Sequence, residues 1–369
     1  MVISWIRTTD FRNLSSSTVP LSKGINAFIG ANAQGKTNFL EAVSLLASGR
    51  SFRGARIPEM ICSGKSEAGV EGHINGHNRD IELKIYLNRS SRQYHINSNP
   101  VSDLREFLGL FSYVVFSSEC MAIVDGDPAA RRHFLDHGYF CLYPSYLLML
   151  RSYRKVLKSR NATIRQFPDN HYLITSWHKP LCNLAASIVH ARLEYLETIR
   201  QKAADTHQLL TNGKEHLDLE YSAQWLSEDI MKTMNKTEFA DSLNDILEKE
   251  IQGDLRRGST GYGPHRDELR ILINGKDIRN YGSRGQKRTA LMALKLSELD
   301  VFYNKNNEYP VFILDDIASE FDRSRQVGLV KALPENLQIL ISHTESLDNY
   351  FERPIHYLNV WDGHVSYGS

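Results

Sequence analysis

The chain has 369 residues, 41% of them hydrophobic, and 44 Lys and Arg against 43 Asp and Glu leave a formal net charge of +1. A single core stops growing at about 250–300 residues, so two packed units are expected. The balanced charge excludes a globally basic nucleic-acid binder and leaves any such contact to local patches. No run approaches the ~18 apolar residues needed to cross a bilayer.

The opening Met1-Val2-Ile3-Ser4-Trp5-Ile6-Arg7 lacks the basic-then-apolar order of a signal peptide. Cys62, Cys120, Cys141 and Cys182 are far apart and form no CxxC pair, so a reducing cytoplasm is the expected setting. Val2–Thr8 and Ile25–Ile29 read as strands. A glycine-bearing loop follows, then a helical pattern with Phe39, Leu40, Ala42, Val43 and Leu46 on one side. Glu71–Ile74, Ile81–Tyr86, Gln93–Ile96 and Tyr113–Phe116 read as short strands, with turn signals at Asn75-Gly76 and Asn97–Pro100. From about Pro128 to Leu247 the pattern is helical, with repeated apolar spacing in Leu147–Leu157 and Leu184–Ile199. Strands return at Glu268–Ile273, Val311–Leu314 and Leu337–Ile341. The expected architecture is an α/β head built from both chain ends, residues 1–125 and 248–369, with a helical arm at 126–247.

Gly30-Ala31-Asn32-Ala33-Gln34-Gly35-Lys36-Thr37 matches G-x-x-x-x-G-K-[ST] between a predicted strand and a predicted helix. Glycines let the backbone curl so that its N–H groups face phosphate oxygens. Lys36 is expected to neutralise the β and γ phosphates of ATP, and Thr37 to ligate Mg2+. The helix that follows adds its positive end. Val311–Leu314 then delivers Asp315 and Asp316 to the carboxyl edge of a sheet. Asp315 is expected to hold Mg2+, and Asp316 to polarise the attacking water.

Tyr281-Gly282-Ser283-Arg284-Gly285-Gln286 precedes an amphipathic helix carrying Leu291, Leu294, Leu296 and Leu299. Its position resembles the signature segment of ABC ATPases, whose serine and glycine at a helix N-terminus bind the γ-phosphate of a nucleotide held by the other subunit. A hydroxyl, free N–H groups and a helix dipole together suit an anion. Ser319-Glu320-Phe321-Asp322 occupies the place of the loop that crosses the dimer interface in such proteins. His343 ends the last predicted strand and either senses γ-phosphate or is a solvent-facing loop histidine. Two basic stretches, Arg50/Arg53/Arg56 and Arg151/Arg154/Lys155/Lys158/Arg160/Arg165, are either phosphate contacts or solvated faces. No pattern for base-specific reading is present.

Taken in order, the phosphate loop continuing to Gly49-Arg50-Ser51-Phe52-Arg53, then Pro128 with Arg131-Arg132 and Phe134-Leu135-Asp136, resemble the RecF family. So do Gly263-Pro264-His265-Arg266-Asp267, Ser283-Arg284-Gly285-Gln286 and Leu314-Asp315-Asp316. The resemblance runs from residue 1 to about 365. It departs in Phe116-Ser117-Ser118-Glu119-Cys120, where serine and cysteine stand in place of the family's frequent proline and aspartate, and at His343, where many relatives have a hydroxyl. Asp316 stands where ABC-type ATPases usually carry Glu, which implies slow hydrolysis.

The resemblance implies an ABC/SMC/Rad50-like P-loop ATPase head with a helical insertion domain. It implies a weak, DNA-stimulated ATPase that uses ATP and Mg2+ as a switch. It further implies an ATP-dependent homodimer clamped on double-stranded DNA at ss/ds junctions, acting with RecR and RecO to load RecA at gaps. By similarity to SMC-like heads, Arg12 reaches the nucleotide. An ABC transporter motor would share the motifs but lack this insertion. An SMC-like structural ATPase would carry a long heptad run that is absent here.

Overall fold

The computed structural model describes residues 1–76, 79–316, 333–348, 351 and 353–367. The chain packs as two compact units, Met1–Met121 with Arg288–Ser369, and Ala122–Lys287. No described helix is long and apolar enough to cross a membrane.

The unit built from the chain ends holds two six-stranded sheets. In the first, Ser17–Pro20, Val2–Thr9, Glu67–Gly76, Arg79–Asn88, Arg92–Ile96 and Asn99–Pro100 lie side by side, each antiparallel to its neighbour. A register shift between Ile3 and Trp5 explains why the buried positions of Val2–Thr9 run Ile3 then Ile6 rather than every second residue. The second sheet is parallel through Ile355–Trp361, Ile25–Ile29, Ile339–His343, Val311–Leu314 and Tyr113–Phe116. His364–Tyr367 closes its edge in antiparallel pairing. Val311–Leu314 and Ile339–His343 are buried from end to end, which is why the first reads as an unbroken apolar run and the second begins as one. Helix Lys36–Ser48 packs against strands of both sheets and buries Phe39, Leu40, Val43 and Leu46 in one core.

The other unit gathers helices Pro128–Leu142, Tyr146–Gln166, His178–Thr211 and Lys236–Lys249 with a three-stranded sheet. That sheet accounts for two differences from the sequence reading. Leu217–Ser222 is a strand inside the stretch read as helical, and it pairs antiparallel with Glu268–Ile273. The pairing ties 248–287 into the arm unit, whereas composition had grouped these residues with the head.

Two segments that carry the RecF resemblance meet at Arg192. Its guanidinium donates to both Asp136 oxygens, at 2.8 and 3.0 Å, and to the Pro264 carbonyl at 2.6 Å. The Tyr221 hydroxyl donates to Asp267 at 2.6 Å. Arg160, read as part of a basic surface, is instead fully buried, donating to Asp254 and Thr260 at 2.7 Å each. An unpaired guanidinium at that depth would be prohibitive, and Asp254 removes the problem.

Burial holds the imidazoles of His178 and His265 down at about 4. In an unfolded chain they take up protons near the ordinary 6.5, so acid favours unfolding between 6.5 and about 4. Burial pushes Asp267 up to about 6 from 3.8, so the folded chain holds its proton there and that group acts in the opposite sense. Burial lowers the His207 imidazole as well, so three histidines act in the one sense against Asp267 in the other. The melting temperature is expected to drop from about pH 7 to about pH 5 while both histidine ring resonances stay neutral. A melting temperature that rises over this interval would contradict the assignment.

Candidate phosphate-binding site

The phosphate loop leaves the end of strand Ile25–Ile29 and enters helix Lys36–Ser48. Gly30 is required by a neighbour: a Cβ there would lie 2.3 Å from the Val360 carbonyl oxygen of the adjoining strand. Gly35 sits at φ 114°, in the left-handed region, and turns the chain into the helix. The loop is braced from the C-terminal hairpin. The Asp362 N–H donates to the Gln34 side chain at 2.6 Å, and the Gly363 N–H donates to the Gln34 carbonyl at 2.9 Å. Ala31, Asn32 and Ala33 form the exposed crest, and Ala33 is itself left-handed at φ 66°.

Lys36 is 8% exposed, and its ammonium donates to the Gly30 and Ala31 carbonyls at 2.6 and 2.8 Å. Burial lowers its pKa, while Asp316 and Asp315 favour the charged form. The Thr37 hydroxyl donates to Asp315 Oδ1 at 2.9 Å, so the loop and the acidic strand end meet as the spacing predicted. Asp315 is buried, which raises its pKa; hydrogen bonds from Ser342 and Thr37 oppose the rise, and Glu119 and Asp316 add to it. Asp316 is exposed at φ 53°, and its N–H donates to Ser342 Oγ at 2.9 Å. Ser342 Oγ in turn donates to Asp315 Oδ1 at 2.6 Å.

Ser342 is the residue that sequence reasoning missed. Its neighbour His343 is 6% exposed, and its Nδ1 lies 2.9–3.0 Å from the Glu345 backbone. Glu119 was also missed: it acts electrostatically on Asp315 and lies 3.7 Å from Arg53. Among the described residues no group of three or more His, Cys, Asp or Glu could by itself hold a metal ion.

Arg12 is placed beside the loop helix rather than on the loop crest. Its Nε and Nη2 donate to Glu41 at 2.8 and 2.9 Å, and Ser51 Oγ donates to the same carboxylate. The residues Ser319–Asp322 lie outside the described residues.

The signature segment belongs to the arm unit up to Lys287 and opens helix Arg284–Asn306. Ser283 and Gln286 form a reciprocal cap: the Ser283 N–H donates to Gln286 Oε1 at 2.8 Å, and the Gln286 N–H donates to Ser283 Oγ at 3.2 Å. Because the Ser283 oxygen accepts from Gln286, its hydroxyl hydrogen is left to be donated elsewhere. The first turn carries Arg284 and Lys287 and has no acid. Cations at the positive end of a helix dipole are unfavourable unless an anion joins them.

The family model "RecF/RecN/SMC N terminal domain" matches residues 2–360. The DNA replication and repair protein RecF of Shouchella clausii is 32% identical over 350 residues, covering 94% of this chain and 93% of the relative. A solved structure of the recombination mediator protein RecF-ATPrS in the RecFOR pathway superposes with a TM-score of 0.91 at 31% identity, covering 100% of this chain and 98% of that one. An SMC head bound to the C-terminal winged-helix domain of ScpA shares the fold at a TM-score of 0.58 and 15% identity, over 99% of this chain and 96% of that one. With the phosphate loop, the acidic strand end and the capped signature helix in place, the chain belongs to the RecF family of ABC/SMC-like P-loop ATPases.

Proposed function

We propose that this chain is an ATP-driven DNA clamp of recombinational gap repair, closed as a homodimer around two nucleotides. One observation carries the reading. The chain has a phosphate loop and, in its other unit, a capped serine whose cationic first turn calls for an anion. Two half-sites on one chain suit an isologous pair, each copy completing the other's triphosphate site. Lys36 and the loop N–H groups of Gly30–Thr37 would hold the phosphates, with Arg12 steadying the loop helix through Glu41. Thr37 and Asp315 would hold Mg2+, and Asp316 would polarise the attacking water. Ser283, Arg284, Gly285 and Gln286 would engage the γ-phosphate bound by the other copy. Hydrolysis removes that bridging charge and reopens the clamp.

The relatives' place in the RecFOR pathway supports a working site in the cytoplasm at ss/ds junctions. There the chain would act with RecR and RecO to promote RecA loading onto strands coated with single-strand-binding protein. Sedimentation with and without ATP and gapped duplex tests the clamp. An ATP-dependent shift to a dimer is the expected result, and a monomer under every condition would refute it.

Of the two basic stretches, helix Tyr146–Gln166 is favoured for DNA. Arg151, Arg154, Lys155, Lys158 and Arg165 are all exposed, and the helix contains no Asp or Glu. At 100° per residue these five fall within roughly 100° of arc, one continuous stripe. In the other stretch Arg53 already lies against Glu119 and Asn38. Reversing Arg154 and Lys158 to Glu should lower the slope of log affinity against log salt by about 2. An unaltered slope would remove this face from the interface.

A further inference from the structure

The signature cap does not end at Gln286. The Gln286 side-chain amide donates to Glu215 Oε1 at 2.8 Å, while its carbonyl oxygen accepts from the Ser283 N–H. The other Glu215 oxygen lies 3.7 Å from Nε2 of His207, a residue with no exposed surface. Burial lowers the pKa of this imidazole, while the Glu215 carboxylate and a backbone hydrogen bond to Glu215 favour its charged form.

Glu215 itself stands on a stiff support. Helix His178–Thr211 ends with Asn212 and Gly213 left-handed at φ 52° and 73°, and the Gly213 N–H reaches back to the Gln208 carbonyl at 2.8 Å. On the other side of Glu215, the His216 N–H donates to Asn274 Oδ1, and the Asn274 N–H donates to the His216 carbonyl, both at 2.9 Å. The short link between helix and strand is therefore fixed at both ends.

We propose that Glu215 is a positioning residue for the signature serine, and that it joins the end of the long arm helix to the site that meets the other copy's γ-phosphate. The inference rests on the reading of Ser283 as a trans-acting anion contact. Glu215 holds the Gln286 amide, which directs the Gln286 carbonyl oxygen to the Ser283 backbone. The Gln286 N–H then fixes the serine oxygen, and the hydroxyl hydrogen stays available to be donated to an incoming anion. His207 adds the arm side of the linkage. Its 3.7 Å approach to Glu215 is too long for a hydrogen bond, and a shift of less than about 1 Å would make one. Two exposed apolar side chains stand close by in sequence. Tyr281 (73% exposed) is two residues before Ser283, and Leu209 (80%) is two after His207, as a surface covered by a second copy requires.

The test compares Glu215→Ala, Glu215→Gln and Ser283→Ala in the full chain, using ATP with gapped duplex DNA. Glu215→Ala is expected to lower kcat and ATP-driven pairing about tenfold, the usual effect of orphaning one hydrogen-bonded group, with ATP affinity changed by less than about twofold. Glu215→Gln keeps an oxygen acceptor and should recover to within about threefold of the parent. If Glu215→Ala fails to fold, Gln286→Met must reproduce the kcat loss at unchanged ATP affinity. Parental turnover in Glu215→Ala or Gln286→Met overturns the assignment, as does a Glu215→Gln no better than alanine. If Ser283→Ala is defective while Glu215→Ala is normal, only the Glu215 role is lost. If Ser283→Ala pairs normally, the trans reading falls and takes the Glu215 role with it.

Discussion

Asp316→Asn is expected to slow ATP hydrolysis by about a hundredfold or more, the usual range for loss of a general base, while prolonging the ATP-bound pair. The substitution isolates chemistry from folding. Asp316 sits at φ 53°, a conformation that asparagine adopts about as readily as aspartate, so the strand end is not disturbed. Its N–H bond to Ser342 is a backbone contact and survives the change. Ser342 continues to hold Asp315, so the Thr37 and Asp315 side of the site is left as it was. Single-turnover hydrolysis measures the effect, and an unchanged rate removes Asp316 as the base. Asp316→Glu would supply the longer carboxylate usual in ABC-type enzymes. It places a longer side chain on left-handed backbone, so its gain in reach is offset by strain.

Lys36→Ala carries the other large effect, an expected loss of ATP affinity of about a hundredfold or more, since each hydrogen bond from a charged donor contributes roughly 1.5–3 kcal/mol. Loop shape is expected to survive. Asp362 and Gly363 hold Gln34 through backbone N–H groups that do not involve the lysine. The crest carbonyls of Gly30 and Ala31 lose one donor and are close enough to the surface to take water instead. Salt-dependent DNA binding without nucleotide should persist, because the basic stripe of Tyr146–Gln166 lies in the other unit. Calorimetric ATP affinity within about threefold of the parent would exclude Lys36 from the site.

The parts of this molecule that were legible in the sequence are those whose signal is local. The phosphate loop has fixed spacing, and the strand before it is apolar at every position but Asn26; both lie where they were expected. Val311–Leu314 carries its two acids at its end for the same reason. Strand Leu217–Ser222 was not legible, because its partner Glu268–Ile273 lies far along the chain and its neighbours are helical. The arm boundary differed with it. The terminal strands Ile355–Trp361 and His364–Tyr367 escaped because they begin with mixed polar and aromatic residues rather than an apolar run.

Within the site, spacing identified Asp315 and Thr37 but not Ser342, whose role depends on the parallel pairing of Val311–Leu314 with Ile339–His343. A charge run likewise does not distinguish Arg160 from its near neighbour Lys158. Five of the six cations in that run face solvent and the sixth, Arg160, is sealed against Asp254, a partner that only the fold supplies.

Strand Ile25–Ile29 has two hydrogen-bonded neighbours, Ile339–His343 and Ile355–Trp361, and both are synthesised long after it. A ribosome that has not yet reached Ile339 therefore presents the nucleotide loop on a strand with neither flank in place. Triphosphate capture by this loop is therefore expected to wait until those late strands have emerged and paired.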